Sequence, residues 1–540
     1  MQESEGTSSS RRTRKKKTPL EQARAWWAKR TLAQRYVCEP GDAPSLAIAR
    51  VLRQEGLVME VAGRRAWILV EQKPGERKGV FLANYWPVVT AVLARYKPAV
   101  VVGLNGVNLH LGNFTPPERL RVYHDASKSQ YAIVLEPGFS CQLQPHALAT
   151  KRLQMVDGPA GARIPVLGPA DLLLTLDEPE IVAGVEQVAA WLRNLVLRNP
   201  DLDAAVADNP RPQILQRAAD IASQAGNPSL GKQLDTAARR LSSTVVSPAR
   251  TGVGTRIIVP AVLAAQPRGT ATPWLDQQLM RLDRQLAEVT SVISAPKFEQ
   301  FAASNLIAHA RESKAYDAYH STTMEGYRIS PETVEAIVRG EPLPDGPRDQ
   351  KSLESAMAVQ GYSGAFDLAL RLAQQRAPIT RDVILDLHEE LYRPSVDAGI
   401  VEASDLRGWR KDPVALAGWM HVPPNYVKVP ELMRGLDEFA ARTDLDPIQR
   451  TLLVHLEFVT IHPFHDGNGR IGRLLGNLSL LSSGLPWVTI RADERMPFFR
   501  SIEQAQVFNN TVPFISFIWH LIKQSVSELA SKHGRSRRRG

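Results

Sequence analysis

Two cysteines, Cys38 and Cys141, are all that the 540 residues contain, too few for a disulfide framework or a Cys-x-x-Cys metal site. Aromatic residues are sparse, at 6%. No run of about eighteen apolar residues occurs, and the N-terminus lacks the apolar core of a signal peptide. The sequence therefore predicts a cytoplasmic protein with no membrane span. Acidic residues are outnumbered by basic ones, 56 to 66, for a formal charge of +10. That imbalance is local, since residues 1–17 carry six Lys/Arg and two Glu and residues 531–540 carry five Lys/Arg. Both runs, at 1–18 and 531–540, read as disordered basic tails that either touch nucleic acid nonspecifically or keep the chain soluble. Between them the body is nearly neutral.

What is present is globular sequence, 44% hydrophobic and long enough for two or three domains. No internal repeat at a solenoid period is visible. Ser45 to Glu55 reads as a helix stopping near Gly56, and Leu57 to Val61 with Ala66 to Glu71 as a hairpin, together a winged-helix pattern over 19–75. An α+β domain over 76–178 follows, with a helix at Trp86 to Tyr96 and extended stretches at Ala99 to Val102, Arg119 to Tyr123, Tyr131 to Leu135 and Phe139 to Leu143. Helices return over 179–243. Residues 244–272, rich in Pro and Gly, read as a linker with a strand-like patch at Arg256 to Val259. From 273 to 530 helix follows helix, with Ser330 and Thr380 as N-caps.

The chemistry concentrates in His462-Pro-Phe-His-Asp-Gly-Asn-Gly-Arg-Ile-Gly-Arg473. Apolar residues at helical spacing precede it (Leu452, Leu453, Leu456, Val459) and follow it (Leu474, Leu475, Leu478, Leu481), so the run links two helices. Gly467, Asn468 and Gly469 would form the turn that opens the second helix, where free N–H groups and the positive end of the dipole attract an anion. Arg470 and Arg473, three apart, fall on one face and can each hold phosphate oxygens. Asp466 is an oxygen ligand suited to Mg2+, which accepts a single carboxylate when phosphates and waters complete its shell. His462 supplies a base titrating near neutrality. Gly467, Gly469 and Gly472 also satisfy G-x-G-x-x-G, but a dinucleotide turn must follow a strand. A calcium loop is excluded by Arg470 and Ile471 at ligand and turn positions. A merely structural turn accounts for Asp466 and the glycines but not for a histidine with two arginines. His455, on the apolar face, reads as a core residue, and His465 lies outside the site.

The run resembles the signature of the Fic family, H-x-F-x-D/E-G-N-G-R-x-x-R, at every fixed position. That resemblance implies an all-α catalytic domain and transfer of AMP from ATP to a protein hydroxyl. By the same resemblance His462 would be the base, Asp466 the Mg2+ ligand, and Gly467, Asn468, Gly469, Arg470 and Arg473 the phosphate holders, with Phe464 anchoring the loop. Ser321-Thr-Thr-Met-Glu325-Gly326 resembles the family's inhibitory motif, with Glu325 reaching Arg473 and Gly326 closing the helix. Gly408 to Gly418, punctuated by Gly and Pro, reads as a short hairpin resembling the family's flap, whose edge would receive a target segment by strand addition. Residues 20–175, including Lys97 to Leu109, resemble antitoxin and regulator domains of abortive-infection systems.

The expected fold class is thus multi-domain: an all-α Fic-like C-terminal domain with a small hairpin flap, after an α+β N-terminal region. The expected function is an adenylyltransferase autoinhibited by Glu325. Two alternatives stand beside it: a nucleic-acid-binding regulator whose Fic-like region senses nucleotide, and hydrolytic removal of AMP by the same site. Partners would be a target-protein hydroxyl, nucleic acid through the tails or N-terminal region, and no membrane; a homo-oligomer is left open.

Overall fold

The computed structural model describes residues 17–32, 35–70, 77–96, 98–125, 129–146, 152–244, 259, 272–293, 301–341, 349–403, 406–412, 414, 416 and 418–537. The chain divides into two units. The first comprises Met1–Val101, Pro117–Lys151 and Asp157–Pro165, and the second Val102–Pro116, Arg152–Val156 and Val166–Gly540.

The first unit is α+β. Helix Leu46–Gln54 starts at Ser45, whose side chain accepts from the Ile48 N–H, and it buries Ile48, Ala49 and Leu52. Strands Val37–Cys38, Ala66–Leu69 and Val58–Val61 form a three-stranded sheet with Ala66–Leu69 in the middle, antiparallel throughout (Val37↔Ile68, Val58↔Leu69). Helix Pro19–Leu32 precedes this group, and Ala23, Cys38, Leu52, Trp67 and Leu69 share one apolar core. A second sheet pairs Ala99–Val101 antiparallel with Arg119–His124, which runs parallel to Phe139–Pro145, itself antiparallel to Tyr131–Glu136. The extended stretches and the helix (Tyr85–Leu93) are where the alternation of apolar residues placed them.

The second unit is built mainly of helices around one large core. Ser330 and Thr380 cap their helices as expected, accepting from the Thr333 and Val383 N–H groups. Helices Gln350–Gln374 and Arg381–Asp397 pack so closely that a Cβ at Gly361 would fall 1.8 Å from the Leu391 carbonyl oxygen. That contact sets Arg381–Asp397 at the depth from which it reaches the site. Helix Pro273–Val292 is fastened to helix Pro447–Ile461 by an ion pair between Arg281 and the fully buried Glu457, at 2.6 Å.

Several boundaries differ from expectation, beginning with residues 19–75, which share the first unit with 76–101, 117–151 and 157–165. The helical stretch 179–243 and the region from 273 onward belong to a single unit. Arg193 and Asp276, both buried, form an ion pair at 3.2 Å that ties helix Val185–Asn194 to helix Pro273–Val292. At the C-terminus, helix Val512–Arg537 runs on through residues expected to be a tail, with Leu521, Ile522 and Leu529 buried and Lys532 pairing with Glu312 at 2.9 Å. The apolar stripe ends at Leu529, and the helix continues beyond it into the basic run. Most of the N-terminal tail and of the 244–272 linker, with Arg256 to Ile258 of its strand-like patch, lies outside the described residues.

Candidate functional site

Helix Pro447–Ile461 begins on the Asp446 carboxylate, which accepts from the Ile448 and Gln449 N–H groups, and it is buried along nearly its whole length. His462 closes it in the left-handed conformation, φ 54° and ψ 61°. A non-glycine residue held there stores backbone strain, a recurrent property of functional positions. The chain then turns through Phe464, 1% exposed, whose ring stacks on that of His388 at 3.7 Å. Asn468 staples the turn: its side-chain oxygen accepts from the Phe464 N–H at 2.9 Å and its amide donates to the Phe464 carbonyl at 2.8 Å. Gly467, at φ 87°, is the N-cap of helix Asn468–Ser482. The helix follows a helix, not a strand, so the dinucleotide alternative fails.

The first N–H groups of Asn468–Ser482 have no acceptor within their own helix, an arrangement that can hold an anion. Asn468 has only its backbone to offer, because its side chain is spent on the loop. Arg470, 1% exposed, lies between the rings of Tyr327 and Tyr392 at 5.1 and 5.3 Å and donates to Asp466 Oδ2 at 3.0 Å and the Tyr392 hydroxyl at 2.8 Å. Tyr392 in turn donates to Asp466. Burial acts to raise the Asp466 pKa, but the Arg470 charge, the Tyr392 hydroxyl and the Gly467 N–H outweigh it and hold the carboxyl low. Asp466 is therefore ionised and, with its side chain 65% exposed, open to a cation. The described residues contain no cluster of three or more His, Cys, Asp or Glu able to hold a metal alone. One ionised carboxylate beside an anion cradle is a donor set that fits magnesium arriving with phosphates.

Arg473 faces the other way. Its Nε donates to Ser321 Oγ at 2.8 Å, and its Nη2 donates to the Ser321 carbonyl at 2.9 Å and to Glu325 Oε1 at 2.7 Å. Ser321 sits in the last turn of helix Ala303–Met324, Glu325 is its C-cap, and Gly326 follows at φ 96°. A Cβ at Gly469 would lie 2.2 Å from Glu325 Oε1, so only glycine leaves room for that carboxylate.

His462 is half-buried. Burial, and then the Arg410 charge, pull its pKa down to about 4, so the ring is neutral at physiological pH. Arg410 was not singled out from sequence as part of the site. It is buried; its N–H donates to the Pro463 carbonyl at 2.9 Å and its Nε to the His462 carbonyl at 2.8 Å. Its guanidinium also donates to the Asp412 and Pro424 carbonyls. Of the expected hairpin at 408–418, Pro413, Ala415 and Ala417 lie outside the described residues, and none of the described ones is in a strand.

All ten residues expected from sequence lie around this turn, from Ser321, Glu325 and Gly326 on one side to His462, Asp466, Gly467, Asn468, Gly469, Arg470 and Arg473 on the other. Sequence reasoning missed Tyr327, Tyr392, His388 and Arg410. The first directly follows the motif at 321–326, and the last lies within 408–418; Tyr392 and His388 carry no local signal, since only helix packing brings them in. His455 is a buried core residue as expected, and His465 is exposed, 3.7 Å from Asp412.

Residues 378–480 match the model of the Fic/DOC family. Protein adenylyltransferase fic-1 of Caenorhabditis elegans is 29% identical over 218 residues, 38% of this chain and 39% of that protein. Protein adenylyltransferase Fic of Nematostella vectensis is 29% identical over 220 residues, 40% of this chain and 48% of that protein. The chain thus spans less than half the length of these relatives. A solved structure of C. elegans Fic-1 aligns with a TM-score of 0.37 and 20% identity, covering 66% of this chain and 99% of that one.

Proposed function

We propose, from the premise that residues 378–480 form a Fic domain, that this chain transfers AMP from ATP to a hydroxyl of a target protein and that Glu325 holds the reaction in check. The observation that carries the reading is the position of Arg473, the last residue of the signature, bound to Ser321 and Glu325. The relatives named as protein adenylyltransferases support the same chemistry.

Neutral His462 takes the proton of the attacking hydroxyl. The freed oxygen bonds to the α-phosphorus, the bond to the β-phosphate oxygen breaks, and pyrophosphate departs. Arg470 and the first N–H groups of the helix hold the phosphates in place and stabilise charge that grows on them. Magnesium, held by Asp466 with waters and phosphate oxygens, would neutralise the same oxygens. Arg473 is the guanidinium left to take the γ-phosphate, and while it pairs with Glu325 that contact is not made. ATP then settles in a pose unsuited to attack.

The test uses α-labelled ATP with magnesium. Wild-type protein should label itself weakly, Glu325→Gly strongly, and Glu325→Gly with His462→Ala at least roughly 10²-fold less, the usual cost of losing a general base. A Glu325→Gly variant that binds ATP yet stays as silent as wild type would sink the autoinhibited-transferase reading.

A further inference from the structure

The three-stranded group at the start of the first unit has an outer surface that AMP transfer does not use. Helix Leu46–Gln54 packs Ile48, Ala49 and Leu52 inward, and turns Leu46, Ala47, Arg50 and Gln54 to solvent. Leu46 is 92% exposed in the first turn. Beside the helix stands the hairpin Val58–Val61 and Ala66–Leu69, whose turn carries Arg64 and Arg65. Glu60 pairs with Arg53 at 2.8 Å and with Arg64 at 3.3 Å, fixing one guanidinium of the helix against one of the hairpin. Arg50 has no acidic partner among the described residues. Residues 18–70 hold eight Lys/Arg against five Asp/Glu, a net +3, and the run at 1–17 before them adds a net +4.

We infer that this surface binds duplex DNA, with helix Leu46–Gln54 in the major groove and the hairpin turn against the adjoining backbone. The inference is independent of the transfer reaction. Nine helical residues make a rod about 13 Å long and about 10 Å across, which the roughly 12 Å major groove admits. The exposed side chains are those that read base edges there: arginine toward guanine, glutamine toward adenine, leucine and alanine toward the thymine methyl. Sequence-specific RNA recognition favours exposed aromatic platforms, and double-stranded RNA closes its major groove to a helix. Here Trp26 and Trp27 pack against the core of the group instead. Core packing on one face and Ser45 at the N-cap hold the helix rigid, so its outer side chains are presented in a fixed register. The basic run at 11–17 precedes the group directly and adds attraction without sequence preference.

The full-length chain is offered a pool of randomised 30-base-pair duplexes, and bound species are recovered and sequenced. The expected result is a shared short sequence. Replacing Arg50→Ala together with Gln54→Ala, which removes two base contacts, should weaken binding to it by roughly 30-fold or more while unrelated duplex is bound almost as before. Arg50→Lys should relax the preference at the guanine position yet keep the nonspecific affinity, because charge remains and the planar two-pronged contact goes. Deleting residues 2–16 should weaken all duplexes alike and flatten the salt dependence. Unchanged circular dichroism melting in the point variants ties any loss to the surface. The inference is overturned by a pool that yields no shared sequence, by a preference that survives both sets of substitutions, by complete loss of binding on tail deletion, or by tighter binding of single-stranded RNA.

Discussion

At the residue scale His462 combines two properties that sequence could not supply together. The motif identifies it as the base; only the structure gives it a left-handed backbone and a pKa drawn down to about 4 by burial and the Arg410 charge. A depressed histidine stays neutral, and so competent to accept a proton, to lower pH than an ordinary one. In Glu325→Gly protein, kcat/KM for AMP transfer should therefore hold steady from about pH 8 to about 5 and fall only with an apparent pKa near 4. An acid limb centred near the ordinary histidine value of about 6.5 would show that His462 is not held neutral in the working site. The signature residues were legible because their spacing is local. Tyr327 and Tyr392, which sandwich Arg470, were not, because one comes from the end of helix Ala303–Met324 and the other from helix Arg381–Asp397.

At the scale of elements, helix caps were the most readable signals: Ser330 and Thr380 each accept from the N–H three residues on. Such bonds are short-range and need no tertiary partner. Arg410 was illegible for the opposite reason: its place is set by the carbonyls it finds, among them that of His462, fifty-two residues away. The join between helices Val185–Asn194 and Pro273–Val292 was equally invisible, since it depends on Arg193 meeting Asp276. Burial tends to raise the Asp276 pKa, against the opposing influence of Asn194 and Arg193. Asp276→Ala leaves Arg193 buried without its counter-charge and should cost about 3–5 kcal/mol, read as a lower urea midpoint. Replacing both residues by apolar ones of similar size should recover most of it. A single replacement costing under about 1 kcal/mol would mean the pair does not fasten the helices.

At the scale of the whole molecule, the all-α C-terminal region and the α+β N-terminal region were both legible from periodicity, 3.6 in one and 2 in the other. The division into units was not, because composition marked a linker at 244–272 while packing sets the boundary far earlier in the chain. The second unit also carries a pH liability. Burial drives His421 to about 4 and His455 to about 3; the Thr460 carbonyl opposes the shift at His421, while the charges of His462, Arg281 and Arg410 reinforce it there and that of Arg473 does so at His455. Both take up a proton on unfolding once the pH falls below the ordinary histidine value. The stability they confer is complete above about pH 6.5 and drains away toward pH 4, with a slope of roughly 3 kcal/mol per pH unit. Urea midpoints at about pH 7 and about pH 5 should differ accordingly, and a flat profile across that window would contradict the assignment.

The first unit is assembled from three separate stretches, interrupted at 102–116 and at 152–156 by segments that belong to the second. The polypeptide therefore passes from one unit to the other five times before residue 167. No single cut can free either unit intact: a fragment ending at 101 lacks strands Arg119–His124 and Phe139–Pro145, and one beginning at 166 has lost Val102–Pro116. For expression and for evolution alike, the two behave as one inheritance, and gene fragments that separate them should yield insoluble product rather than working halves.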